Sequence, residues 1–154
     1  MRLVRYIRLF FRLPAHKRVY LTEAVICLLI TRPFAGMQIK RWAGMLGEPQ
    51  TETTYEDDPA LRSAVVNIRW AIDVASRRVP WRSDCLPQAF AANLMLKRRK
   101  ISNTVYLGVM LEQASADQAA MKAHAWVRVG SVIITGEAGH KEFRPVSTFA
   151  SKPS

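Results

Sequence analysis

Cys85 and His124 stand 39 residues apart, a thiol and an imidazole on what read as two different elements. They are the minimum for a thiol nucleophile activated by a general base. Cys85 follows Ser83 and Asp84, either a natural helix N-cap, and Pro87 is tolerated there only within a first helical turn. At a helix N-terminus the dipole favours negative charge, and unpaired backbone N–H groups can receive an oxyanion. Most isolated cysteines are simply small buried residues. Cys27, within an apolar helix face, carries only that bland reading.

His124 heads an alternating segment, with Trp126 and Arg128 on its own face and Ala125 and Val127 on the other. A lone strand histidine is usually structural, so its case rests on Cys85. A third group should orient the imidazole and hold its tautomer. Glu137, thirteen residues after His124, is the candidate, and a solvated hairpin-end carboxylate is an equal reading of it. Asp117, in the preceding polar segment, is less well placed. His16 and His140 receive no role.

The elements that must position these groups follow from periodicity. Arg2, Arg5, Arg8 and Arg12 alternate with Leu3, Val4, Ile7, Phe10 and Phe11, which predicts a basic amphipathic helix ending near Pro14. A second helix is expected over about residues 17–30, and a shorter third over about 35–46. Residues 48–59, with five acids, two prolines and three threonines, read as a polar connector. A regular amphipathic helix is expected over 60–78, and another from Cys85 to about residue 97. Strand patterns then cover 104–111, 124–129 and 132–135, with a polar loop at 112–121 and a last edge strand at 143–149. The order is α+β. It divides into an N-terminal helical subdomain (1–58) and a core (59–154).

Composition bounds the function classes. The 154 residues are 49% hydrophobic, as expected of one globular domain. Two cysteines indicate no disulfide framework and a reducing, cytoplasmic setting. The longest apolar run, residues 24–30, predicts no membrane-spanning segment, and no signal peptide or export is expected. Cysteines 58 residues apart and three scattered histidines make no zinc spacing, and no P-loop occurs. No cofactor or metal is therefore expected. Of the net charge of +11, most lies in residues 1–46, where nine Lys or Arg face the single acid Glu23. An acidic partner, nucleic acid or an anionic membrane suits that segment.

Pro80-Trp81-Arg82-Ser83-Asp84-Cys85-Leu86-Pro87-Gln88-Ala89, the segment from Leu94 to Arg99, Leu107-Gly108-Val109 and His124-Ala125-Trp126-Val127 together resemble a known family. It is the transglutaminase-like cysteine proteases of lasso-peptide biosynthesis, the B proteins that remove the leader from the precursor peptide. The resemblance runs from about Leu61 to Phe149. It implies a papain/transglutaminase-like core with the nucleophile on a helix N-terminus packed on an antiparallel sheet. Cys85 matches the family nucleophile and His124 its base. A family Asp about twelve residues after the His falls on Gly136, leaving Glu137 or some other oxygen to orient the ring. Gln88 lies after the cysteine and inherits no oxyanion role. The resemblance further implies a precursor-peptide substrate, a separate leader-recognition protein and an ATP-dependent lasso cyclase as partners, with no nucleic acid and no integral membrane segment.

Three readings stand. One is a leader peptidase acting through an acyl-enzyme at Cys85. The second is the same chemistry with an amine acceptor, an acyltransferase. The third is a non-enzymatic basic module binding nucleic acid or membrane through the N-terminal arginines.

Overall fold

The computed structural model describes residues 2–113 and 119–153. Helices α1 (Arg2–Arg12) and α2 (Ala15–Thr31) come first, separated at Pro14. The short α-helix expected over 35–46 is instead three 3₁₀ turns, Arg32–Gly36, Ile39–Arg41 and Ala43–Met45. Gly36 and Gly44 interrupt any α-helical run there, and the irregular path buries Trp42 against Phe34 and Phe90.

α3 (Arg62–Ser76) buries Val65, Ile68, Ala71, Ile72 and Ala75, the apolar stripe its periodicity requires. α4 (Cys85–Arg98) begins at the thiol. Its basic end is partly absorbed by structure. Arg99 forms a two-pronged pair with Glu23 of α2 at 2.5 and 2.9 Å, and Lys97 donates to the Met45 carbonyl.

The sheet comprises β1 (Glu48–Pro49), β2 (Asn103–Gln113), β3 (Ala119–Val129), β4 (Val132–Thr135) and β5 (Arg144–Ser151) in the order β1-β5-β2-β3-β4, all antiparallel. The α+β expectation is met. Two details differ. The loop expected at 112–121 gives way to continued β2–β3 pairing as far as Gln113 and Ala119, while Asp117 lies outside the described residues. β5 is not an edge, because the start of the polar connector pairs with it as β1.

The sheet's two faces do different work. Val105, Leu107, Ala125, Val127 and Phe149 point to the helices and join one apolar core with Leu28, Ile68 and Phe90. That core draws on α2 and Trp42 as well as on α3, α4 and the sheet, so apolar packing is continuous across residue 58. Tyr106, Trp126 and Arg128 point the other way, and the connector covers Tyr106 and Arg128. There Arg128 reaches the Thr53 and Thr54 carbonyls and stacks on Tyr55.

Leu28 is fully buried where α2 enters this core. Leu28→Ala is expected to lower stability by about 2–5 kcal/mol. Denaturant unfolding should show one transition moving as a whole, as a shared core requires. A separate early transition would instead mark an independent N-terminal unit.

Candidate active site

Cys85 is the first residue of α4, and Asp84 precedes it in extended backbone at the cap position. The Asp84 side chain makes no capping hydrogen bond and lies 3.4 Å from Arg82 instead. Pro87 has no N–H, and the Gln88 N–H closes the first turn on the Asp84 carbonyl. The N–H groups of Cys85 and Leu86 are thus those a helix start leaves without an intrahelical partner. Gln88 has a positioning part: its side-chain amide donates to the Ser83 carbonyl at 2.6 Å, tying the approach loop to the helix. Trp81 Nε1 and Ser83 Oγ in that loop are buried without a hydrogen-bond partner. Cys85 itself is half-buried.

The other thiol is a poor competitor. Burial pushes the Cys27 thiol up, and the nearby Glu23 carboxylate pushes it further, so little thiolate forms there.

His124 is half-buried on β3 opposite Gly108 of β2. Its ring packs beside Phe143 (4.9 Å between centroids) and Trp126 (5.8 Å). Trp126 stacks on Tyr106 at 5.3 Å and lies across Gly108, where a Cβ would come within 2.7 Å of the indole. Gly108 is therefore the residue that lets the indole lie flat beside the imidazole.

The geometry supplies an oxygen for the imidazole. His124 Nε2 lies 2.8 Å from the Gly136 carbonyl oxygen. A carbonyl only accepts, so in the neutral ring Nε2 carries the proton and Nδ1 keeps its lone pair as the basic atom. The backbone thus fixes the tautomer at the position where the family Asp was expected. An aspartate cannot simply replace Gly136, because φ is +71° and an added Cβ would collide with the Ala125 backbone oxygen. Glu137 does not face the ring: its carboxylate pairs with Arg69 of α3 at 2.5 Å. Its carbonyl accepts a hydrogen bond from His140 Nδ1 at 2.6 Å.

Cys85 and His124 are not hydrogen-bonded to one another in this structure. Cys85 packs against the helix-side core, while strand alternation puts His124 on the opposite face with Trp126 and Arg128. β4 ends at Thr135 opposite Val127, so at the level of His124 the neighbour on that side is the Gly136 turn, not a strand. Among the described residues, no group of three His, Cys, Asp or Glu side chains could hold a metal.

The Gly136 acceptor was hidden in the sequence because any residue supplies a carbonyl. The one visible signal was a glycine where an acid was expected. Nitrogen-15 NMR should show the neutral His124 ring protonated at Nε2, unchanged in Glu137→Gln. Gly136→Ala should cost at least about 1–3 kcal/mol, because backbone strain is added to the collision of its Cβ with the Ala125 carbonyl oxygen, and should disturb that tautomer. A ring protonated at Nδ1 would remove the carbonyl's role.

A family model described as transglutaminase-like superfamily matches residues 28–148. No curated protein and no solved structure matches the chain.

Proposed function

The chain belongs to the transglutaminase-like superfamily, and from that premise we propose that it is a cysteine peptidase that removes the leader from a ribosomal lasso-peptide precursor. The observation that carries the reading is Cys85 as the first residue of a helix whose start has no side-chain cap. It combines a thiol, a positive helix end and free backbone donors at one place.

In this reading His124 Nδ1 takes the Cys85 proton, and the thiolate adds to the scissile carbonyl carbon. The N–H groups of Cys85 and Leu86 face the developing oxyanion. The imidazolium then gives its proton to the departing amine as the C–N bond breaks, leaving a thioester on Cys85. Water, deprotonated by the same imidazole, attacks the thioester and releases the leader's carboxylate and the thiol. The Gly136 carbonyl positions the ring through Nε2, as a neutral acceptor in place of a carboxylate. The cycle requires the imidazole to meet the thiol at the open side of β3 beside Gly136.

The substrate and partners follow from the motif resemblance. They are a precursor peptide, a separate protein that holds its leader, and an ATP-dependent cyclase that uses the released core, all in the cytoplasm. Acyl transfer to an amine is the second reading, since the same thioester serves both acceptors.

Mass spectrometry of a precursor peptide incubated with the enzyme and the leader-recognition protein tests this. Cys85→Ala should abolish leader release, and His124→Ala should slow it by about 10²–10⁴-fold. Glu137→Gln should stay within about twofold of wild type, because its carboxylate serves Arg69. Cleavage that survives Cys85→Ala would end the proposal. An amine adduct in place of the free acid would favour the acyltransferase.

A further inference from the structure

We propose that the outer face of α1 and α2 is a docking surface for an anionic lipid bilayer, holding the protein at a membrane without crossing it. On α1, Val4, Ile7 and Phe11 form one i, i+3, i+7 stripe, and Arg5, Arg8 and Arg12 form the neighbouring stripe. The protein leaves the apolar stripe uncovered: Val4 is 55% exposed, Ile7 47% and Phe11 66%. On α2, Val19, Ile26, Leu29 and Ile30 are likewise exposed. Phe10 joins the two helices through a shared groove of about 810 Å³, lined also by Val19, Ile26 and Ile30.

Charge selects the occupant. Arg5, Arg8 and Arg12 make no ion pair among the described residues. The one acid in α1 and α2, Glu23, is buried and neutralised by Arg99. A basic stripe bordering an apolar one, with aromatic and branched aliphatic side chains, is the composition of a helix lying in the headgroup region. The segment Ala15–Gly36 is long and apolar enough by length and composition to enter hydrocarbon, and little of it is buried inside the protein. Its opposite side is held: Glu23, Ala24, Leu28 and Thr31 are built into the fold, and Thr31 Oγ1 donates to the Pro87 carbonyl of α4 at 3.1 Å. Crossing would tear that side from the core, so the helix lies on the surface. Thr31 thereby links the lipid-facing helix to the first turn of the thiol-bearing helix.

The test is co-sedimentation of the full chain with vesicles of phosphatidylcholine, with and without phosphatidylglycerol. Wild type should pellet with the anionic vesicles and release as salt rises. Arg5→Gln, Arg8→Gln and Arg12→Gln together should weaken anionic binding on the order of a hundredfold. Ile7→Asp with Phe11→Asp should abolish pelleting while circular dichroism and the unfolding transition stay unchanged, both sites being exposed. No pelleting of wild type with anionic vesicles overturns the proposal, as does equal pelleting of wild type and the arginine variant. Self-association in solution, lost in Phe11→Asp and unaccompanied by vesicle binding, would assign the face to a second copy of the chain and overturn it as well.

Discussion

The buried guanidinium of Arg128 is the constraint on which the sheet's outer face depends. It is 4% exposed, and a charge so placed is costly unless every donor is matched. All five N–H groups find acceptors: the Tyr106 hydroxyl, the carbonyls of Thr53, Thr54 and Gly130, and the Glu52 carboxylate. Two of these, the Thr53 and Thr54 carbonyls, are connector backbone oxygens, so the guanidinium fixes the path of the connector itself. The Tyr106 hydroxyl also donates to Glu52 at 2.7 Å, and burial pushes its ionisation well above the usual range, keeping it a donor. Asp57 adds a second clasp through the Ser131 N–H and hydroxyl. Beneath this cover Tyr106 and Trp126 stack, and Trp126 gives His124 one wall of its site.

The helix side is organised by a different logic. Apolar packing dominates, and Glu23 holds α2 to the end of α4 through Arg99 and, at 3.7 Å, Arg98. The thiol therefore rides on the helix layer and the imidazole on the sheet layer. Each is fixed by its own layer's contacts. Coupling through Thr31 and Pro87 gives α2 a direct hold on the start of α4.

The legibility of the chain followed the range of each interaction. The long helices were readable because a 3.6-residue apolar period is local, as Val65, Ile68 and Ile72 show in α3. Residues 35–46 misled because Trp42 and Leu46 are buried by Phe90 and its neighbours, an attraction no local pattern reports. The connector read as polar and loose since its threonines and acids look solvated. Thr53 is in fact bonded to Thr104, and Glu52 to Arg128. Glu137 is the available acid after His124 in sequence, but Arg69, 68 residues away, takes its carboxylate.

By itself the sequence determined the α+β order, the placement of Cys85 at a helix start, the face that His124 shares with Trp126, and the basic amphipathic character of α1. All of these depend on neighbours within a turn or a strand pair. Tertiary structure alone decided which oxygen holds the imidazole, which partner takes Glu137, where the connector lies and which apolar face of α1 and α2 stays uncovered. Those outcomes depend on groups brought together from distant parts of the chain. A backbone carbonyl, moreover, has no residue type by which a sequence could announce it.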